Sequence, residues 1–154
     1  TNRKDDVNQP AQQSPLLVTR ILWAAMLMSI FLYVGLTFVL TMPEGFEAEA
    51  HTQAVFIGSF AVVSLSILGV TFVLRQVMFF RKFEKGDLTA DSAPAAYQTV
   101  AIVSFAMAEA IALFGFVLHM TTYDPVAPLP FFGLGLVLLL MLYPKEEPLI
   151  GRGF

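Results

Sequence analysis

Long stretches without charged side chains constrain the fold of this chain more than any other feature. Three such stretches lie between Arg20 and Glu44, between Glu49 and Arg75, and between Asp124 and Lys145, and a fourth, between Asp91 and Asp124, is interrupted only by Glu109. Each can hold the roughly 20 apolar residues that a helix needs to cross a bilayer core. The apolar runs are continuous rather than alternating, which argues against a transmembrane β-barrel. We therefore predict an all-α, polytopic membrane protein with four transmembrane helices, near residues 17–41, 53–80, 96–120 and 127–143.

These spans divide the 154-residue chain into three parts. Residues 1–14 form a polar arm rich in Gln, Asn and Asp, which we expect to be disordered. Residues 15–144 form the four-helix transmembrane domain, and residues 145–154 form a short tail. The first span is longer than the apolar core of a signal peptide and lacks a small-x-small cleavage site before Glu44, so we expect it to stay in the membrane.

The overall composition agrees with a membrane protein. Hydrophobic residues make up 56% of the chain and charged residues 14%, whereas about a quarter of a soluble domain is charged. The formal net charge of −3 shows no basic excess, so a nucleic-acid partner is not expected. The absence of cysteine excludes disulfides, thiolate metal sites and thiol nucleophiles. The expected partners are lipid and other membrane subunits, in a homo-oligomeric ring or in a complex of unlike chains.

Basic residues predict the orientation of the chain. They are concentrated in the N-terminal arm, the connection at 75–91 and the C-terminal tail, whereas the connections at 41–52 and 121–126 contain acidic residues and no Lys or Arg. Cytoplasmic loops carry an excess of Lys and Arg. We therefore predict that both termini and the connection at 75–91 are cytoplasmic.

Glu109 is the one acidic residue inside a predicted span, and it lies near the middle of the third. An ionised carboxylate there costs several kcal/mol on insertion scales and by default marks an ion or proton path. A carboxyl that is neutral in lipid and ionised opposite a cation can carry one proton or, with further oxygen ligands, one Na⁺. The alternative is structural, because a protonated Glu can hydrogen-bond to a neighbouring helix and hold the two helices together.

Small residues surround Glu109 in the third span. Ser104, Ala108 and Ala112 follow one another at intervals of four, and Gly115 extends the small-residue region. Such spacing forms a ridge that lets another helix approach closely. The second span offers small residues of its own, including Gly58, Ser66 and Gly69. We expect the second and third helices to pack as an antiparallel hairpin through these positions.

The segment 109–118, EAIALFGFVL, resembles the ion-carrying helix of the proteolipid c subunit of rotary ATP synthases. In that family a membrane Glu or Asp precedes small and aliphatic residues, an aromatic residue paired with Gly or Ala, and more aliphatic residues. The family's cytoplasmic loop commonly contains Arg-Gln-Pro, and Arg75 and Gln76 end the second span here without the proline. The resemblance implies that Glu109 is the ion-binding carboxylate. Two flanking spans and a second span with few glycines depart from the family's pattern.

The remaining polar residues predict no second site. His51 and His119 lie near the outer ends of their spans without a metal-binding spacing, so we interpret them as interface residues rather than as metal or haem ligands. No nucleophile with a base, phosphate-binding loop or HExxH helix is visible, and we expect no catalytic residue, no metal and no cofactor. Trp23 and Tyr143 are expected in the cytoplasmic aromatic belt.

Two functional hypotheses follow. In the first, the chain is an integral subunit of a larger complex in a bacterial inner membrane. It takes part in proton or Na⁺ translocation through Glu109 and is most similar to a rotary-ATPase proteolipid. The second is a non-catalytic accessory or assembly subunit of a multi-subunit membrane complex. A four-helix small-molecule exporter fits less well, because the essential Glu of such exporters lies in their first helix and the first span here contains no acid.

Overall fold

The computed structural model describes residues 15–40, 50–77 and 93–144. They form four helices, α1 (Pro15–Val39), α2 (Ala50–Arg75), α3 (Ala93–Thr122) and α4 (Leu129–Met141), and no strand occurs in these three ranges. The predicted all-α class is therefore confirmed. The first three helices are long and apolar enough to cross a membrane. The polar arm at 1–14, the tail at 145–154 and most of the basic connection lie outside the described residues.

The helix α4 is shorter than the span predicted at 127–143. It contains 13 residues, with Pro128 at its N-cap and Pro130 in its first turn. Proline is tolerated there because the first amides of a helix have no intrahelical acceptor. With a rise of 1.5 Å per residue the helix is about 20 Å long, against about 30 Å for a bilayer core.

The third helix occupies the centre of the structure. The buried core cluster combines Ile30 of α1, Phe105 of α3 and Leu139 of α4 with further residues of α3, of α4 and of the segment that follows α4. No residue of α2 belongs to this cluster. The core is therefore formed by α1, α3 and α4, and α2 packs on α3 from outside it.

The contact between α3 and α4 is a close approach of two backbones. A Cβ atom added to Gly135 would lie 2.8 Å from the carbonyl oxygen of Ala108 and 3.0 Å from the Cβ of Ala112. A Cβ atom added to Gly115 would lie 3.0 Å from the Cβ of Phe131. Residue numbers rise along α3 as they fall along α4, so the two helices are antiparallel.

The contact between α2 and α3 depends on larger side chains. The Thr71 hydroxyl donates a hydrogen bond to the Met107 sulfur at 3.1 Å. The rings of Phe60 and Phe114 stack with their centroids 5.2 Å apart. The predicted antiparallel pairing of the second and third helices is thus present, but the small-residue ridge of α3 faces α4 instead of α2.

The first and fourth helices are joined near the ends at which α1 begins and α4 finishes. The indole N–H of Trp23 donates to the carbonyl oxygen of Leu139 at 2.8 Å. The Trp23 ring also meets the Tyr143 ring edge to face, with centroids 5.0 Å apart. The two aromatic residues therefore contact each other in addition to occupying the same end of the bundle.

A structured turn connects α3 to α4. Tyr123, the residue after α3, has a left-handed conformation, with φ of 51°, and its amide donates to the carbonyl of His119 at 2.7 Å. One carboxylate oxygen of Asp124 accepts the amide of Val126 at 2.8 Å. The other accepts the side-chain amide of Gln53 at 2.9 Å, which ties the start of α2 to the turn.

Candidate functional site

Glu109 is bonded to a side chain of another helix. The hydroxyl of Tyr33 in α1 donates a hydrogen bond to Oε1 of Glu109 in α3 at 3.0 Å. The Tyr33 ring also stacks on Phe116, about two helical turns beyond Glu109 on α3, with centroids 5.7 Å apart and planes 26° apart. We refer to Glu109 and Tyr33 as the carboxyl–tyrosine pair. Among the described residues, Tyr33 is the only hydrogen-bond partner of the Glu109 side chain.

The carboxyl–tyrosine pair lies at the edge of an exposed strip of α3. Glu109 and Tyr33 are both half-buried, whereas Ala106 and Leu113, about one turn to either side of Glu109, are exposed. Val117 continues the same strip. The carboxyl group is therefore neither fully buried in the core nor fully exposed. In this position an ion or a proton donor from outside the bundle can contact it.

The small residues predicted around Glu109 lie together, on a neighbouring face of α3. Ser104, Ala108 and Ala112 are buried, as is Gly115, and this face is the one that contacts α4. The Ser104 hydroxyl donates to the carbonyl of Val100 within its own helix at 2.7 Å. These residues bring α4 close and present no polar group to Glu109.

Three small residues of α2 were predicted to pack against α3, and the structure does not place them in that contact. Gly58, Ser66 and Gly69 are all exposed, and a Cβ atom added to either glycine would meet nothing within 4 Å. The Ser66 hydroxyl donates to the carbonyl of Val62 in its own helix. On α2 the buried residues are instead Ser64 and Thr71.

The two histidines differ in burial, since His119 is buried and His51 is exposed. His119 is 3% exposed, its Nδ1 lies 3.4 Å from the carbonyl oxygen of Asp124, and its Nε2 has no described partner. His51 is exposed near the start of α2. No group of three or more potential metal ligands occurs within the described ranges.

Tyr33 is the site residue that the sequence reasoning missed. A usable signal was present, because a tyrosine hydroxyl in the middle of an apolar helix needs a hydrogen-bond partner where water is absent. Glu109 is the strongest acceptor in the predicted spans. The two polar groups could have been paired on that ground, although not with the geometry.

No protein-family model, no curated protein and no solved structure matches this chain.

Proposed function

We propose that the chain is an integral membrane subunit that takes part in proton or Na⁺ translocation through Glu109, in the manner of a rotary-ATPase proteolipid. The observation that carries this proposal is the hydrogen bond of 3.0 Å from Tyr33 to Glu109 Oε1. A tyrosine hydroxyl both donates and accepts hydrogen bonds, while an ionised carboxylate only accepts and a protonated one also donates. Tyr33 can therefore stay bonded to Glu109 in both protonation states.

The exposed strip beside Glu109 supports the same proposal. A carrier carboxyl must exchange its ion, so it needs a route to a proton or cation donor outside the bundle. Ala106 and Leu113 leave that side of α3 uncovered. A proton requires no ligand beyond the carboxyl–tyrosine pair, whereas Na⁺ requires further oxygen atoms, which a neighbouring subunit would supply.

The same hydrogen bond favours a second candidate function. It joins α1 to α3, and interhelical bonds between polar side chains stabilise membrane bundles by about 0.6–2 kcal/mol. In this candidate Glu109 is a structural group, and the chain is an accessory or assembly subunit of a larger complex.

Two variants separate these candidates because they remove different properties of the pair. Glu109→Gln keeps an oxygen that accepts the Tyr33 hydroxyl but cannot ionise. Tyr33→Phe removes the bond and leaves the carboxyl. The tagged chain is purified with its accompanying subunits and reconstituted in liposomes, and ion uptake and thermal stability are measured.

The ion-carrier proposal expects Glu109→Gln to assemble with the same subunits and to abolish uptake. It expects Tyr33→Phe to retain part of the uptake. Normal uptake by an assembled Glu109→Gln complex contradicts the proposal. If Glu109→Gln is then silent in stability while Tyr33→Phe lowers it, the structural candidate takes its place.

A chemical probe tests the carboxyl itself. A hydrophobic carbodiimide attacks protonated acids in lipid, so it should modify Glu109 in the reconstituted protein and leave Asp124, which caps a turn, unmodified. Peptide mass spectrometry locates the adduct. Protection of Glu109 by added Na⁺ identifies Na⁺ as the ion, and a reaction that Na⁺ does not slow excludes Na⁺.

We further propose four crossings of a bacterial inner membrane, with both termini cytoplasmic. The fourth crossing would comprise α4 together with the apolar residues that flank it. Because the chain contains no cysteine, single cysteines can be placed at Gly45, Pro125 and Gly86. An impermeant thiol reagent added to intact cells should label the first two, and labelling at Gly86 contradicts this orientation.

A further inference from the structure

A groove lies between α2 and α4. It encloses about 790 Å³, within the roughly 300–1,000 Å³ of small-molecule sites. Leu68 and Phe72 of α2 form one wall, and Leu138 and Met141 of α4 form the other. The helix α2 packs mainly on α3, and the groove lies beside that contact, between α2 and α4.

One end of this groove is polar. Arg75, in the last turn of α2, and Gln76, which follows it, line the groove together with the apolar walls. Arg75 also borders a small cleft with Tyr97 at the start of α3. The Arg75 guanidinium has no hydrogen bond or ion pair to any side chain of the described residues.

We infer that this groove binds one anionic phospholipid, with its phosphate on Arg75 and one acyl chain along the apolar walls. A guanidinium binds phosphate oxygens through two parallel hydrogen bonds. Basic pockets between membrane helices on the cytoplasmic side bind anionic headgroups. The inference rests on the proposed membrane position of α2 and does not depend on the role of Glu109.

The length of the groove favours a lipid over a helix of a second copy. From Leu68 to Gln76 the groove follows about 12 Å of α2. One leaflet of the hydrocarbon core is about 15 Å thick, half of the whole. The helix α2 has 26 residues and is about 39 Å long, so the groove follows only about a third of it. The groove therefore matches one leaflet, with its polar end at the membrane surface.

The test compares lipid retention in matched variants. The protein is reconstituted in nanodiscs of equimolar phosphatidylglycerol and phosphatidylcholine, extracted in mild detergent, and examined by native mass spectrometry. Arg75→Gln removes the proposed phosphate contact, and Arg75→Lys keeps the charge. Gly69→Leu places a side chain in the groove, which Gly69 lines. Gly58→Leu is its control, because Gly58 also has open space around it but lies outside the groove.

We expect the unaltered protein to retain phosphatidylglycerol in preference to phosphatidylcholine. Arg75→Gln should lower that preference about five-fold, and Arg75→Lys should keep most of it. Gly69→Leu should reduce retention of both lipids, while Gly58→Leu should not. Unchanged preference in Arg75→Gln, equal retention by the two leucine variants, or a lipid-free dimer of the unaltered protein would each overturn the inference.

Discussion

The helices α2 and α4 run antiparallel to α3 and are both apolar, yet they contact it in different ways. The buried residues of α4 are Phe131, Phe132, Gly135 and Leu139. Those of α2, a helix twice as long, are Ser64 and Thr71. In lipid, apolar side chains gain little by leaving one apolar environment for another, so shape and polar contacts decide which helices associate. Length and hydropathy suit α2 to crossing a membrane, whereas surface shape fixes α4 in the core.

The largest effect on stability is expected when a phenyl ring is removed from the core, and the matched control removes one from α2. Phe105, in the core of α3, is 1% exposed, and Phe72 on α2 is 75% exposed. Phe105→Ala should lower the free energy of unfolding by about 3 kcal/mol because it leaves a cavity. Phe72→Ala should change it by less than about 0.5 kcal/mol. Unfolding with SDS, followed by circular dichroism, measures both, and equal losses would mean that α2 belongs to the core.

A single methyl group gives the next largest contrast. Gly135→Ala places a Cβ atom against the backbone of α3 and should cost about 1–3 kcal/mol. Gly69→Ala meets nothing and should stabilise its helix by about 0.5–1 kcal/mol, since alanine loses less conformational freedom than glycine. Thermal unfolding in the same detergent compares them. A harmless alanine at Gly135 would show that α4 can move away from α3.

The smallest expected effect concerns the bond that ties α2 to the α3–α4 turn. Gln53→Ala removes the hydrogen bond to Asp124 and should cost about 0.5–1.5 kcal/mol. Hydrogen exchange should accelerate in the first turns of α2. The turn should keep its protection, because Asp124 still accepts the amide of Val126. Faster exchange in both segments would show that the turn depends on α2.

The sequence predicted where the helices lie but not which helix packs on the small-residue ridge of α3, for a physical reason. Uncharged runs mark where a helix can lie, so the spans predicted near 17–41 and 96–120 agree closely with Pro15–Val39 and Ala93–Thr122. Small residues permit a close approach without selecting the partner. The ridge at Ala108 could have received Gly58 or Gly135, and only the three-dimensional arrangement places Gly135 there.

Of the two residues of the candidate site, the sequence predicted Glu109 but not Tyr33. Glu109 is conspicuous because a charge is rare in an apolar run, whereas Tyr33 is one of four tyrosines. The register between α1 and α3 brings their side chains together, and Ile30, about one turn before Tyr33, packs in the core that the two helices share.

The bond from Trp23 to Leu139 gives the chain a built-in optical reporter. Trp23 is the only tryptophan, so all indole fluorescence comes from the junction of α1 and α4. Loss of that hydrogen bond would change the polarity around the indole and therefore its emission wavelength. The hydrogen bonds and ring contacts that join α2 to the rest of the described residues lie elsewhere, on Asp124, Met107 and Phe114, so movements of α2 should leave the spectrum unchanged. An unlabelled sample can thus report separation of the core helices independently of the outer one.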